Sequence, residues 1–272
     1  MPRFESQDAI LSYEQAGHSG PHLILVQGVG CIGQGWRPQI DDLSRDHRVL
    51  WFDNRGIGGS VPLRGAVSIA DMARDCLQLM DHLRIDRAHA VGHSMGGPIV
   101  QELGRIATAR VASLSLISTM RRGRDVAIPS LANLKVSLRM LWGSERARWL
   151  AAAGLCFPSA HLATLSDEEK LRLVHLIFCP DFLQQPAIVR KQLAALWHHR
   201  GGDMVALRTI PTLILTGSQD VVADTRLSDD LRQHLPHARI ERFADAGHGL
   251  PLHHVSDVNR LLREHVARAD RA

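Results

Sequence analysis

The 272-residue chain is 45% hydrophobic and 22% charged, near the globular average, which excludes a disordered or fibrous protein and predicts a well-buried core. Its formal charge of +4 is spread over scattered arginines, and the densest group, Arg121, Arg122 and Arg124, is too short for a nucleic-acid footprint. Four dispersed cysteines, the polar start MPRFESQDAI and apolar runs of only about five residues predict a soluble, cytoplasmic protein without a disulfide frame, zinc site or membrane span.

Residues 22–26 (HLILV) form a continuous apolar run before Gly28, the pattern of a strand buried on both faces. Residues 39–46 read as a short helix, and 48–52 (RVLWF) as a second buried strand that stops at Asp53. Ser68 and Asp71 have capping-box spacing ahead of a helix whose apolar face carries Met72, Cys76, Leu79, Met80 and Leu83. A strand over 88–91, a helix over 98–107 and a strand over 111–117 follow. Such alternation predicts a parallel sheet with helices on both faces. From residue 121 to about 207 helical periodicity continues without a buried strand, and Trp142, Trp149 and Trp197 all fall there. Strand patterns return at 212–216 and 238–243, and a last amphipathic helix follows with Ser256 as its expected N-cap. The organisation expected is a core of residues 1–120 and 208–272, interrupted by a helical cap, or lid, over residues 121–207.

Gly92-His93-Ser94-Met95-Gly96 stands between the 88–91 strand and the next helix. A G-x-S-x-G sequence there fits a strained strand-to-helix turn that holds a serine hydroxyl out as a nucleophile, with glycines where neighbouring chain comes close. Such a serine needs a base, an acid to orient the base, and donors for the developing oxyanion. His248, flanked by Gly247 and Gly249 past the last strand, is the candidate base; His253 and His254 are rivals nearer the last helix, and His93 reads as packing. Asp220, in the turn after the 212–216 strand, is the candidate acid, with Asp224 and Asp245 as rivals. The ordinary role of an aspartate in such a turn is to cap its own backbone. Gly28, Gly30 and Gly33 imitate a dinucleotide fingerprint, but Gln34-Gly35-Trp36-Arg37-Pro38 does not open a clean helix. No cofactor is therefore expected, and no metal-ligand spacing of His, Cys and carboxylate is visible.

With the order Ser…Asp…His, each at a strand end, the chain resembles the α/β-hydrolase fold family. The resemblance is carried by Gln27-Gly28-Val29-Gly30, the DNRGIGGS segment from Asp53 to Ser60, the Ser94 turn, Gly217-Ser218-Gln219-Asp220 and Gly247-His248. It covers most of residues 20–120 and 208–270. It implies an α/β fold with a mostly parallel eight-stranded sheet flanked by helices, and a helical cap between strands 6 and 7. It also implies an oxyanion hole made by the backbone N–H groups of Val29 and Met95. Gln27 stands where the family often has histidine, a change that leaves the Val29 donor in place. Arg55 is expected to pair with a buried acid. Cys31, Ile32 and Trp36 are candidates to line the acyl pocket, with core packing as the equal alternative. Trp142 and Trp197 in the insert suggest an apolar substrate part. Serine instead of aspartate at residue 94 argues against the dehalogenase and epoxide-hydrolase chemistries of the fold.

The function expected is hydrolysis of a small-molecule ester or lactone through an acyl-enzyme on Ser94. A C–C bond hydrolase acting on a diketone with the same triad is the alternative, and a catalytically silent ligand-binding protein is a third reading. No nucleic-acid or membrane partner is expected, and monomer and homo-oligomer both stay open.

Overall fold

The computed structural model describes residues 1–63, 67–126, 139–140, 142–184 and 186–271, so residues 127–138 of the expected cap lie outside the described part. The strands are β1 (Arg3–Glu5), β2 (Ala9–Ala16), β3 (His22–Val26), β4 (Arg48–Phe52), β5 (Val61–Pro62), β6 (Ala88–His93), β7 (Val111–Ile117), β8 (Thr212–Gly217) and β9 (Arg239–Phe243). Eight of them run in the order β1-β2-β4-β3-β6-β7-β8-β9, and the two-residue β5 pairs with β2. From β4 to β9 every pairing is parallel, whereas β1, β2 and β5 add an antiparallel edge. Because the parallel strands share one direction, the chain leaves β3, β4, β6, β7, β8 and β9 on the same side of the sheet, where open α/β sheets bind ligands.

The helices of the sheet region are α1 (Arg37–Leu43), α2 (Ile69–His82) and α3 (Gly96–Ile106). Between β7 and β8 come α4 (Glu145–Cys156), α5 (Ser159–Ala163), α6 (Asp167–Ile177) and α7 (Ala187–His198); α8 (Thr225–His234), α9 (Leu250–His253) and α10 (Val255–Ala269) follow β8. Alternation along the strands sorts the core into two layers. Ile24, Val26, Leu50, Ala90, Leu114 and Ile214 face α2, α3 and α8, while Leu23, Leu25, Val49, Val91, Leu213 and Leu215 face α1 and α10. Both faces are therefore covered, which is why β3 and β4 are apolar at every buried position. The insert has its own small core of Trp149, Ala152, Ala153, Val174, Ile177, Phe178 and Leu183, joined by Cys31 from the sheet region. Among the described residues no helix is long and apolar enough to cross a membrane.

Two local expectations change in detail. Ser68 Oγ accepts the Asp71 N–H as an N-cap should, but the Asp71 carboxylate takes the Ser68 hydroxyl at 2.6 Å, since its chain is too short to reach back to the backbone. The last helix starts at Val255, one residue before Ser256, with His254 preceding it and no side-chain cap. The Asp53–Ser60 loop is tied down from below. Arg55 forms a two-point ion pair with buried Asp75 (2.7 and 2.8 Å), and Asp53 accepts the N–H groups of Gly33 (2.7 Å) and Gly59 (2.9 Å).

Candidate active site

Ser94 leaves β6 with φ 54°, the left-handed region that a non-glycine residue holds only where its surroundings impose it. The surroundings are backbone bonds: Ser94 N–H donates to the Ile117 carbonyl (3.1 Å), and the Ser94 carbonyl accepts from Gly97 N–H (3.0 Å) and Thr119 Oγ1 (2.5 Å). None of these uses the Ser94 hydroxyl. The flanking glycines answer a different need. A Cβ on Gly96 would lie 2.1 Å from the Val26 carbonyl oxygen, and one on Gly92 would lie 2.3 Å from the Gly96 carbonyl oxygen. The obstacle in each case is backbone, which cannot swing away. Gly96→Ala is accordingly expected to cost about 3 kcal/mol or more in urea unfolding; a loss below about 1 kcal/mol would show that β3 and α3 can separate cheaply.

Asp220 and His248 reach the same edge from β8 and β9. His248 Nδ1 lies 2.9 Å from Asp220 Oδ2 and 3.2 Å from Oδ1. Asp220 Oδ1 also accepts the N–H groups of Val222 and Ala223, each at 2.8 Å, and its side chain is fully enclosed. The turn before His248 is held by Ser218 N–H on the Phe243 carbonyl (2.8 Å) and Gln219 N–H on the Ala246 carbonyl (2.9 Å). The rivals are engaged elsewhere. Asp224 caps α8 through the Arg226 N–H and pairs with the Arg226 guanidinium. Asp245 is exposed beside His254, and His253 stacks against His161 of α5.

His93 does more than fill space. Its Nε2–H donates to the His248 carbonyl at 2.8 Å, its ring stands edge-on to Trp36, and it lines the cavity described below. Burial, reinforced by the nearby His248, pushes His93 down to about 3, and burial pushes His265, which donates to the Leu114 carbonyl, down to about 4. Both titrate near 6.5 in an unfolded chain, so between pH 6.5 and 4 the unfolded state binds more protons than the folded one. Stability is full above pH 6.5 and is lost on acidification, by up to about 1.4 kcal/mol per pH unit for each histidine. A Tm that falls from pH 6.5 to 4, with a shallower fall in His265→Gln, is the expected result; a flat Tm would contradict it.

Ser94 and His248 both line one cavity of about 270 Å³. Gln27, Val29, Cys31 and His93 border it on the sheet side, and Leu155, Phe178, Phe182, Leu183, Val189 and Leu196 of the insert close much of the rest. Among its described lining residues there is no Asp, Glu, Lys or Arg. Burial pushes the Cys31 thiol far above its usual range, so this cysteine is a neutral wall group of the cavity. Met95, the residue after Ser94, is buried at the N-terminus of α3. The loop of Val29 lies beside Ser94: a Cβ placed on Gly28 would be 3.3 Å from Ser94 Oγ.

That loop is fastened to the insert. Gly30 N–H donates to Gln192 Oε1 of α7 at 2.9 Å, Cys179 N–H donates to the Gly30 carbonyl at 2.9 Å, and Ile32 N–H donates to the Ile177 carbonyl at 2.9 Å. Cys31 and Phe178 complete an antiparallel bridge. Gln192 is fully buried, and it is the polar member of an inward face that includes Val189 and Leu196. A glutamine at a helical-period position between apolar residues was the available signal for it.

Of the five residues expected to line a pocket, Cys31 borders the cavity, and Ile32 and the three tryptophans do not. Trp36 is fully buried in the layer beneath α1 and α10 and backs His93. Trp142, just before the cap of α4, is 71% exposed. Trp197 is 61% exposed, because α7 turns Val189, Gln192 and Leu196 inward and its next residue outward. Phe178 and Phe182, stacked with centroids 4.1 Å apart, supply the aromatic wall instead.

A family model for the α/β hydrolase fold matches residues 21–255. RutD of Azorhizobium caulinodans, assigned as a carbamate hydrolase, is 30% identical over 243 residues, covering 88% of each chain. The enol-lactonase of Burkholderia xenovorans LB400 superposes with a TM-score of 0.81 at 22% identity, covering 98% of this chain and 100% of that one. The meta-cleavage product hydrolase CumD of Pseudomonas fluorescens IP01 gives 0.78 at 23% identity, covering 96% and 95%. The structural likenesses establish the fold, and the match of the family model across most of the sequence establishes descent: the chain belongs to the α/β-hydrolase fold family.

Proposed function

We propose that this hydrolase cleaves uncharged carboxylic esters or lactones with an apolar acyl or alcohol part, through an acyl-enzyme on Ser94. The observation that carries the reading is that Ser94 and His248, the latter held by enclosed Asp220, line one apolar cavity. His248 Nδ1–H is held by Asp220, which leaves Nε2 as the acceptor for the Ser94 proton during attack on the carbonyl. The Met95 and Val29 N–H groups take the oxyanion, a contribution of a few kcal/mol that grows as charge develops. His248 then protonates the leaving alkoxide, and water hydrolyses the acyl-enzyme by the same steps in reverse. The helices between β7 and β8 act as the cap, and their inner wall, apolar and free of Lys and Arg among the described residues, disfavours substrates that carry a carboxylate near the scissile bond.

Carbamate hydrolysis is a second reading, favoured by the sequence likeness to RutD. It uses the same acyl chemistry on a more polar substrate. A panel of p-nitrophenyl esters of rising chain length, neutral lactones, carbamates and vinylogous diketones separates these, after fluorophosphonate labelling has located the nucleophile by peptide mass spectrometry. Label on Ser94 with highest kcat/KM on a medium-chain ester or neutral lactone is the expected result. Preference for a carbamate or a diketone would move the reading to that bond, and folded protein that takes no label would end it.

Gln192 enters as a residue that positions the Val29 donor. Gln192→Leu leaves the Gly30 N–H buried without its acceptor and frees the loop to drift from the oxyanion. We expect kcat to fall about tenfold with KM changed by less than about twofold; an equal loss in KM would mean that Gln192 shapes the binding pocket instead.

A further inference from the structure

The spacing of histidines and acids along the sequence suggests no metal set, yet the fold gathers three donors outside the cavity. Asp245 lies in the turn between β9 and His248, His253 ends α9, and His254 leads into α10. One ligand atom from each lies within 4.8 Å of the other two. His254 Nε2 is 3.1 Å from Asp245 Oδ1, and the rings of His253 and His254 are 4.3 Å apart at 50°. His161 of α5 covers the group, with its ring centroid 4.0 Å from that of His253.

Two further facts distinguish this group from an ordinary surface cluster. His253 Nδ1 is shielded from solvent without a hydrogen-bond partner among the described residues, and the equally shielded His254 Nε2 faces the Asp245 carboxylate at 3.1 Å without hydrogen-bond geometry. Such atoms cost free energy unless something takes their lone pairs or protons.

We propose that Asp245, His253 and His254 bind one divalent transition-metal ion of the Zn²⁺ class, with two imidazole nitrogens, one carboxylate oxygen and water completing the shell. Two nitrogen ligands favour Zn²⁺ and its neighbours over Mg²⁺ or Ca²⁺, which take mostly oxygen. Bonds near 2.1 Å place tetrahedral ligand atoms roughly 3.4 Å apart, so a separation at the 4.8 Å limit must close by about 1.4 Å, while Asp245 and His254 at 3.1 Å are already in range. The Asp245 side chain, 68% exposed, is free to rotate toward an ion held by the two imidazoles. An ion held there would tie the turn on the amino side of His248 to the helix on its carboxyl side. The site is independent of the reaction proposed above and is tested without substrate.

The test is titration of chelator-stripped full-length protein with ZnCl₂ by calorimetry, with visible absorption of Co²⁺ as a spectroscopic check. The expected result is one equivalent bound, a Tm rise of about 2 °C or more at saturation, and affinity at least about tenfold weaker in both Asp245→Asn and His254→Ala. Far-UV circular dichroism confirms that each variant is folded. Absence of saturable binding, or binding of equal strength in both folded variants, overturns the proposal; in the latter case others of the 16 histidines hold the ion.

Discussion

Ser94→Ala is expected to lower kcat by roughly 10⁵- to 10⁶-fold and to abolish fluorophosphonate labelling, while KM for a bound ester stays near its original value. On the proposed mechanism the size of the loss follows from the role of Ser94: without the hydroxyl no acyl-enzyme forms, and His248 and Asp220 have nothing to activate. What remains is binding and the oxyanion donors, which still speed attack by water a little. The fold should not change. The bonds that force φ 54° at residue 94 run through its N–H and carbonyl to Ile117, Gly97 and Thr119, and alanine keeps all of them. Alanine also keeps the strain of a Cβ in the left-handed region, which glycine would relieve, so Ser94→Gly should be inactive yet at least as stable as Ser94→Ala. Turnover above about one per cent in Ser94→Ala, with label on another residue, would place the nucleophile elsewhere.

The sequence made the parallel part of the sheet legible for a physical reason. β3 and β4 are covered on both faces, so their apolar residues are consecutive, and the Ser94 turn follows such a strand directly. The antiparallel edge was not legible from periodicity. RFE of β1 and AILSYEQA of β2 are partly exposed, and only the family pattern of eight strands implied them. At the candidate site, the meeting of Asp220 and His248 was legible because each follows a strand whose direction is fixed by its neighbours. Pocket residues could not. Trp36, Trp142 and Trp197 satisfy any test of size and hydrophobicity, but whether such a ring lines a cavity, fills a core or meets solvent depends on the rotation of one helix against another. Gln192 marks the same limit from the other side, since its partner Gly30 is 162 residues away and meets it only once α7 lies across the Val29 loop.

Asp220→Asn is expected to lower kcat by about 10⁴-fold with little change in stability or KM. The hydrogen bonds at Asp220 dictate how the amide would sit. Val222 and Ala223 both donate N–H groups to Oδ1, so the asparagine oxygen must stay with them and its NH₂ must face His248. An NH₂ there donates to Nδ1, which drives the imidazole proton to Nε2, the atom that accepts from Ser94 in the proposed mechanism. The ring is then held in place, in the wrong tautomer, with no carboxylate to stabilise the imidazolium. Asp224→Asn is the matched control, because Asp224 spends its side chain on the cap of α8 and on Arg226. It should leave kcat within about twofold and lower the Tm slightly, through loss of charge at a helix N-terminus. If Asp224→Asn were the variant that lost turnover, the acid would be Asp224, and the bond from Asp220 to His248 would serve only to fold the turn.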